Sequence, residues 1–577
     1  MTKKITVFVA LLIIFAFSEL SFAQQQILLS ALNSMERVSQ SVIFQGDASV
    51  VIQSAKNEVE SFQIIVSAPT QHLMITNVEI SDLTGQNGGK INNESITLFR
   101  EEYVRVWRAS PRPELPPGLY ADPLVPFINP LTGEPIVPRQ QFRERWGEPI
   151  KTIGYEMYAL PFPVFKGQNQ PIWFDVSVPK DAESGLYTGD VTVTSEDNIS
   201  QTIDVSLTVW DFTLPDTSSL RTHFGTIPHA DTYWKLGAGS DRFRKIEMNY
   251  CDVFSEHRIT PPIPKSLLPQ ANENGSLTIT PERHAQLQEF IKKHKIREFE
   301  IPRIRYRNPL TSDRDKLVRY LKEYYRYLKD NGWDEGAFYY MHDEPNLPEN
   351  YAHVSEYGKL VAEAAPGLKR LVVEQTYKEA PSWPEIDHAV DIWCPLWSFI
   401  HRETILDKVS QGDEVWSYTA LTQRAPSYHP DYNAVKDLDP PYWHIDRPLA
   451  NYRAPMWINW QYNITGLLYW TAVASTLDPW NIPAFTSFQR YFNGGGYLLY
   501  PGYPCGMDTA VSCIRLKNIR DGIEDYEYFA ILEKLAGREK VNRIVDTIAP
   551  AWWDFSKEPG KYASAREQIA KEIVRLK

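Results

Sequence analysis

The sequence is poor in cysteine, in positive charge and in long apolar runs, and each shortage excludes a class of protein. Its 577 residues include four cysteines, too few for a scaffold built on disulfides, although Cys505 and Cys513 are close enough in sequence to form one bridge. Acidic residues outnumber basic ones by 72 to 60, so we expect neither nucleic acid nor an anionic membrane as a partner. The cysteines and histidines have no zinc-type spacing, and we predict no metal and no cofactor.

The one long apolar run lies at the start of the chain. Lys3 and Lys4 precede an apolar stretch at residues 5–17, which is followed by a small-residue pattern at residues 21–23. This order is typical of a cleavable secretory signal peptide, whereas a membrane anchor needs a longer run. We therefore predict that residues 1–23 are removed and that the mature protein has no membrane span. We expect it to be exported, to a periplasm or to the outside of the cell.

The first third of the remaining chain has the pattern of an all-β domain. Residues 24–216 contain short β-rich runs such as "SFQIIVSAP", "GLYTGDVTVTSED" and "SQTIDVSLTVWDF", separated by Gly, Asp and Asn. Strands of this length with turn signals between them predict a β-sandwich. A proline-rich loop at residues 109–149 interrupts the pattern, and we expect its apolar residues to pack on the neighbouring domain.

From residue 217 onward, β-like runs alternate with amphipathic helical stretches, which predicts a parallel sheet and makes the chain multidomain. There are eight such runs, at residues 220–225, 258–264, 298–306, 336–342, 369–376, 390–397, 414–421 and 466–473. Eight units predict a (β/α)8 TIM-type barrel over residues 217–577, with a C-terminal helical extension. The second and sixth runs contain proline, which weakens them as strands. The acidic segment "IRDGIEDYEY" has helical spacing and predicts a solvated or salt-bridged helix rather than a metal site.

Two neighbouring acids end the fourth run. In "GAFYYMHDEPN", Asp343 and Glu344 directly follow an apolar and aromatic strand, where adjacent carboxylates repel unless one is protonated or both are used. A helix start would also accept acids here. In a barrel of this kind, however, the active site lies at the C-terminal ends of the strands. At this edge, six polar or aromatic residues are predicted to bind substrate: Arg305, His342, Gln375, Trp397, Tyr418 and Trp470.

A carboxylate pair on an aromatic rim in an exported protein indicates glycoside hydrolysis. The usual schemes place the two carboxylates on opposite sides of the sugar, which neighbouring residues cannot easily do. An adjacent pair suits substrate-assisted hydrolysis better, in which the 2-acetamido oxygen of the substrate attacks the anomeric carbon. Asp343 would then hold the acetamido N–H, while Glu344 would protonate the leaving oxygen and afterwards activate water.

Several stretches of the chain carry a family resemblance. They are "MHDEPN", "VDIWCPLW", "EVWSYT", "GGGYLLYPG" and "SCIRLKNIRDGIEDYEYFAIL", with "AKNEVESFQIIV" and "GLYADPLVP" in the β-rich half. Together they resemble glycoside hydrolase family 123 and the wider group that shares its catalytic domain, a domain of unknown function numbered 4091. The resemblance implies an exo-acting β-N-acetylgalactosaminidase that uses the substrate-assisted mechanism, with Asp343 orienting the acetamido group and Glu344 as acid/base. Tyr418, from its position at a strand end, is the candidate donor to the acetamido oxygen.

Two other functions remain open on the sequence alone. The glycine motif of the family often reads Gly-Asp-Gly, whereas this chain has glycine at residues 494–496, which leaves the identity of the sugar open. A sugar without an acetamido group would need a protein nucleophile, for which Glu374 on the fifth strand is the nearest candidate. The other alternative is a non-catalytic glycan-binding protein, although such a protein has no need of two adjacent acids.

Overall fold

The computed structural model describes residues 27–138, 156–225, 234, 236–237, 239–304, 306–474 and 478–577. The predicted signal peptide, part of the proline-rich loop and Arg305 lie outside these residues. In the part of the chain that is described, no helix has the length and apolar character needed to cross a membrane. All four cysteines are buried as thiols.

The N-terminal half is all-β, as predicted. Its strands are β1 (Leu28–Asn33), β2 (Ser49–Lys56), β3 (Glu58–Ala68), β4 (Leu73–Ile80), β5 (Leu83–Gly85), β6 (Lys90–Ile91), β7 (Ile96–Val106), β8 (Gly118–Pro126), β9 (Phe162–Val164), β10 (Gln168–Val178), β11 (Gly185–Ser195) and β12 (Ser200–Thr213). One sheet has the order β1-β3-β10-β7-β8, and the other has the order β2-β12-β11-β4-β9 with β5 and β6 beside β11. Only the pairing of β2 with β12 is parallel within these two sheets as described.

The burial of the residues in each strand depends on whether one or both faces of its sheet are covered. In β4, Leu73, Ile75 and Val78 are buried while Glu79 is exposed, as expected of a strand with one face on the core. In β3, by contrast, residues 61–68 are buried on both faces. The first sheet therefore has the second sheet on one side and the C-terminal half of the chain on the other.

The C-terminal half alternates strands with helices around a parallel sheet. Its elements are β13 (Arg221–Phe224), α1 (Asp241–Glu256), β14 (Gln270–Ala271), β15 (Leu277–Thr278), α2 (Pro281–His294), β16 (Phe299–Glu300), α3 (Arg314–Asp330), β17 (Ala337–Asp343), α4 (Pro348–Ala364), β18 (Lys369–Val373), β19 (Ile392–Trp393), α5 (Arg402–Gln411), β20 (Glu414–Thr419), α6 (Tyr432–Val435), α7 (Ala450–Gln461), β21 (Gly466–Tyr469), β22 (Ala484–Ser487), β23 (Arg490–Asn493), β24 (Tyr500–Pro501), β25 (Ala510–Val511), α8 (Ile514–Ala536), α9 (Arg538–Val545) and α10 (Pro559–Leu576). Seven of the strands form one sheet of order β13-β21-β20-β19-β18-β17-β16.

The sheet curls so that its two edge strands approach each other. The side chains of His223 on β13 and Glu300 on β16 lie 3.4 Å apart. The predicted second strand at residues 258–264 is not a strand, because three of its residues are prolines and lack the N–H that a ladder needs. This segment lies between the edges instead. The Thr260 amide donates to the Thr222 hydroxyl at 2.8 Å, and the Thr260 hydroxyl donates to Glu298 at 3.1 Å.

The helix predicted from the acidic C-terminal segment forms as α8, but it is buried on all sides from Ile514 to Ala530. Its charged side chains are paired across the molecule. Arg515 binds Asp122 of the β region at 2.8 Å, and Arg453 of α7 binds Asp525 at 2.7 Å. The salt-bridged interpretation is therefore confirmed and the solvated one is wrong, because this helix lies between the β region and the parallel-sheet region.

Candidate active site

The acid pair, Asp343 and Glu344, follows an irregularity at the end of β17. A β-bulge shifts the register with β18 between Tyr340 and His342, and Asp343 then lies opposite Val373. Glu344 has a φ of +47°, which is uncommon for a residue other than glycine, and its amide donates to the Val373 carbonyl at 3.2 Å. Backbone outliers of this kind concentrate at functional sites. Both side chains are exposed at the C-terminal edge of the sheet.

Each carboxylate of the pair accepts a hydrogen bond from a different buried tyrosine. The Tyr340 hydroxyl donates to Oδ1 of Asp343 at 2.8 Å, and the Tyr418 hydroxyl donates to Oε1 of Glu344. Burial raises the pKa of both phenols well above the ordinary value, so they remain donors at neutral pH. Because Tyr340 belongs to β17 and Tyr418 to β20, separate strands fix the two neighbouring acids. Two hydrogen bonds to charged groups thus help to offset the repulsion within the pair.

Arg303 contacts the tyrosine that supports the aspartate, and His342 lies next to the aspartate in the chain. The guanidinium of Arg303 lies 4.3 Å from the centre of the Tyr340 ring, which is a cation–π contact. His342 is half-buried, and its Nδ1 lies 3.1 Å from the backbone carbonyl oxygen of Asp343. Burial lowers the pKa of His342, so the ring is neutral at neutral pH. His342 is thus next to the acid pair, as its sequence position requires, but it contacts the backbone rather than either carboxylate.

A buried carboxyl group lies beside the pair at the end of β18. Glu374 is 6% exposed, and its Oε1 accepts a hydrogen bond from the Tyr351 hydroxyl at 2.9 Å. Burial raises the pKa of Glu374 to about 9, and the charges of Glu379 and Glu344 act in the same direction. Glu374 is therefore a neutral carboxylic acid near pH 7. Gln375, which the sequence placed at this edge, is also buried, and its amide lies 3.4 Å from the same Tyr351 hydroxyl.

The arrangement supplies proton donors and acceptors to a bound substrate. Two exposed carboxylates lie side by side, phenols support them from the interior of the sheet, and a neutral carboxylic acid lies next to them. Within the described ranges, no group of three or more His, Cys, Asp or Glu side chains is arranged to hold a metal ion. Carboxyl groups of this kind can perform acid–base chemistry.

Comparison with known proteins identifies the domain that carries this site. Residues 293–532 match the family model described as glycoside hydrolase 123, catalytic domain. The chain carries a family 123 glycoside hydrolase catalytic domain. The matched range begins at the end of α2, contains Asp343 and Glu344, and ends within α8. The protein is therefore a glycoside hydrolase, as the acid pair and its setting predicted.

A solved structure resembles nearly the whole chain in fold. A family 123 glycoside hydrolase from Clostridium perfringens superposes with a TM-score of 0.65 at 14% identity, over 95% of this chain and 97% of that one. At this identity the similarity shows the fold alone, and it extends to the β region that precedes the family 123 domain. A xyloglucanase of family 5 from Bacteroides ovatus has a TM-score of 0.28 at 8% identity, over 86% of this chain and 100% of its own. A search of the curated proteins finds no match.

Trp470 forms part of the rim of the family 123 domain. It directly follows the last residue of β21, at the same edge of the sheet as the acid pair, and its ring meets Phe485 edge-on with 5.0 Å between ring centres. Gly496 leaves room for this ring, because a Cβ at Gly496, whose φ is +74°, would lie 2.7 Å from the indole. The glycine motif at residues 494–496 thus supports a tryptophan that the sequence predicted at the rim.

Trp397 is not brought to this edge of the family 123 domain. It is 1% exposed, its indole N–H donates to Asn459 of α7 at 3.1 Å, and its ring lies 5.8 Å from that of Trp443. The preceding Leu396 pairs with Tyr418 and packs inside the curled sheet. Leu396 is the last extended residue before a short 3-10 turn at Trp397–Phe399, and the Trp397 indole is directed towards α7. The position of Trp397 gives no support to its predicted contact with substrate. Arg305, which was also predicted to bind substrate, lies outside the described residues.

Three tyrosines of the site were missed by the sequence analysis. Tyr340 had a usable signal, because it lies two residues after the inward-facing Phe338 on β17 and therefore on the same face. Tyr351 lies on α4, and Tyr428 lies in a loop where its hydroxyl donates to Glu379 at 3.1 Å. Neither residue has a sequence pattern that points to the end of β18, so only the tertiary structure shows that they are part of the site.

Proposed function

We propose that this enzyme removes terminal β-linked N-acetylgalactosamine from glycans by substrate-assisted hydrolysis. The observation that carries the proposal is the geometry of the acid pair, in which two adjacent and exposed carboxylates are held separately by the hydroxyls of Tyr340 and Tyr418. Two side chains on one strand end can reach neighbouring atoms of one sugar, such as the acetamido nitrogen and the glycosidic oxygen. They are poorly placed to flank the sugar ring, as a protein nucleophile and an opposing acid would require.

In the proposed first step, the acetamido oxygen attacks the anomeric carbon while Asp343 accepts a hydrogen bond from the acetamido N–H. Glu344, which must be protonated for this step, gives its proton to the glycosidic oxygen, the bond to the leaving group breaks, and a bicyclic oxazoline-type intermediate forms. In the second step Glu344 takes a proton from water, which attacks the same carbon and reopens the ring with overall retention. Tyr418 would exchange its acceptor, Glu344, for the acetamido oxygen during this cycle.

The raised pKa of Glu374 favours the substrate-assisted mechanism over the alternative in which a protein carboxylate is the nucleophile. A nucleophilic carboxylate must be ionised, whereas the pKa of Glu374 is raised to about 9 by burial. Glu374 also accepts a hydrogen bond from Tyr351, which holds it in the wall of the site. A glycosidase acting on a sugar without an acetamido group would therefore lack its nearest candidate nucleophile at neutral pH.

Two further parts of the proposal concern location and architecture. We propose that the enzyme acts in a periplasm or outside the cell, because residues 1–23 have the composition of a signal peptide. We also propose that the sheet functions as a (β/α)8 barrel in which residues 259–264 take the place of the second strand. The hydrogen bonds of Thr260 to residues of both edges support this closure.

The test compares aryl β-N-acetylgalactosaminide, aryl β-N-acetylglucosaminide and aryl β-galactoside as substrates of the wild type, Asp343→Asn and Glu344→Gln. We expect cleavage of the N-acetylgalactosaminide, and a fall in kcat of about 10²- to 10⁴-fold in each variant, because each loses a group that acts in the transition state. Both substitutions preserve side-chain size, so an unchanged melting temperature is the control. Cleavage of the galactoside, with indifference to Asp343→Asn, would show that the nucleophile is not the substrate.

A further inference from the structure

The hairpin Ala484–Asn493, formed by β22 and β23, has an unfavourable turn. Its two central residues, Phe488 and Gln489, have φ values of +48° and +60°. Two-residue turns of this shape favour Asn-Gly, because a side chain with a Cβ is strained in the left-handed region. A bulky aromatic residue at positive φ is a genuine outlier.

The environment of Phe488 does not compensate for this conformation. Its side chain is 85% exposed, whereas large aromatic side chains are normally packed against other apolar groups. Both the backbone conformation and the exposure of Phe488 therefore cost stability. Such an outlier is a reason to look for a function at that position.

The hairpin lies at the edge of the sheet that carries the acid pair. Phe485, three residues before Phe488, contacts the ring of Trp470 with 5.0 Å between ring centres. Trp470 follows β21, and in the same strand Leu468 lies opposite Tyr418, whose hydroxyl bonds to Glu344. Three residues of extended chain span about 10 Å, so the hairpin tip extends from the rim tryptophan by about the length of one sugar ring and its linkage.

The base of the hairpin is fixed by the β region. The Ser110 hydroxyl donates to Asp446 at 2.7 Å and accepts hydrogen bonds from the backbone and side-chain N–H groups of Asn493, both at 3.0 Å. The Asn493 side chain also donates to the Arg108 carbonyl at 2.8 Å, and the Arg108 guanidinium lies 5.3 Å from the ring centre of Tyr491. These contacts anchor the base of the hairpin, so its tip has less freedom than that of an unanchored loop, which lowers the entropic cost of binding a ligand there.

We propose that Phe488 is a specificity-determining residue that stacks on the sugar bonded to the reducing side of the terminal sugar. This proposal rests on the exo-hydrolase function proposed above. In an exo-hydrolase the terminal sugar occupies the pocket and the leaving sugar extends outward across the rim, where the hairpin lies. A sugar ring has an apolar C–H face that suits an exposed aromatic ring, and stacking would bury part of the surface that Phe488 leaves in water.

The experiment uses two variants to distinguish the effect of the Phe488 ring from the effect of the strained turn. Phe488→Asn removes the ring and introduces a residue that suits the turn, whereas Gln489→Gly relieves the turn and keeps the ring. Both variants are assayed on one terminal sugar with three leaving groups: galactose in a disaccharide, an aryl alcohol, and azide. The readout is the ratio of kcat/KM for the disaccharide to kcat/KM for the azide. Melting temperatures are measured in parallel.

We expect Phe488→Asn to lower this ratio about tenfold, the size of a good aromatic stacking contact, through a higher KM for the disaccharide. Its melting temperature should be equal to or above that of the wild type. Gln489→Gly should raise the melting temperature and keep the wild-type ratio. An unchanged ratio in Phe488→Asn would overturn the proposal, as would an equal loss on all three substrates, which would mean that the residue merely supports Trp470.

The design also distinguishes failure of this proposal from failure of the proposed function. If the wild type cleaves galactosides and not 2-acetamido sugars, the proposed substrate is wrong. The same three leaving groups are then carried by galactose, and the ratio tests Phe488 as before.

Discussion

Replacing Glu374 by glutamine should stabilise the protein, and by an amount that depends on pH. Glutamine has the shape of the protonated acid, and its carbonyl oxygen can accept the hydrogen bond that Tyr351 donates at 2.9 Å. The pKa of Glu374 is raised by burial from its ordinary 4.5 to about 9 in the folded protein. Between these two values the unfolded chain loses its proton while the folded chain keeps it, so the free energy of unfolding of the wild type falls as the pH rises.

The size of the effect follows from the two pKa values. Each unit of difference corresponds to about 1.4 kcal/mol, so the wild type should lose about 3 kcal/mol between pH 4.5 and 7, and about 6 kcal/mol by pH 9. The variant has no such group at position 374. Its advantage over the wild type should therefore be close to zero at pH 4.5 and should grow to these values, remaining constant above pH 9.

The measurement is urea denaturation of both proteins at several pH values, followed by tryptophan fluorescence, together with kcat at pH 7. We expect the difference in the free energy of unfolding to rise with pH, and the activity of Glu374→Gln to stay within a few-fold of the wild type. A difference that is flat from pH 5 to 9 would refute the reasoning, because Glu374 would then ionise as easily in the folded protein as in the unfolded chain. Loss of activity by several orders of magnitude would restore Glu374 as the nucleophile.

Two further substitutions test how the site is supported. Tyr418→Phe removes the hydrogen bond to Glu344 and should lower kcat about 10- to 100-fold, since a bond to a charged group contributes about 1.5–3 kcal/mol, while circular dichroism stays unchanged. Gly496→Ala should lower the melting temperature and raise KM, because the new methyl group would lie 2.7 Å from the Trp470 ring at a residue with φ of +74°. Gly560→Ala in α10, which has open space around the added methyl, is the matched control and should neither lower the melting temperature nor raise KM.

The acid pair could be located from the sequence because its signal is local. An apolar run with β-like residues, followed at once by Asp343 and Glu344, places both acids at a strand end, and the position of that run among eight alternating units selects the edge of the sheet. The β-bulge and the left-handed Glu344, which present the pair, have no comparable signature. They depend on how β17 fits against β18, which is a tertiary property.

Other predictions failed because a sequence pattern gives the spacing of residues along a strand but does not say which of them face the core. Trp397 is the last residue of a strand-like run, but the run itself does not say which of its residues face inward, and it is Leu396 that packs inside the sheet. Residues 258–264 have the apolar and β-branched composition of a strand, but their three prolines cannot donate to a ladder. Tyr351 and its bond to Glu374 join a helix to a distant strand, and such contacts are beyond the reach of local patterns.

The burial of α8 determines whether the β region and the catalytic region of this enzyme can be exchanged separately in evolution. Arg515, Lys517 and Arg520 belong to the last third of the chain, yet their carboxylate partners Asp122 and Asp175 belong to the β region. A catalytic region joined to a β region without those carboxylates would bury these cations unpaired, and breaking a buried ion pair in this way costs about 3–5 kcal/mol. Recombination that exchanged either half alone would thus give an unstable product. We therefore expect the β region and the catalytic region to be inherited as one unit.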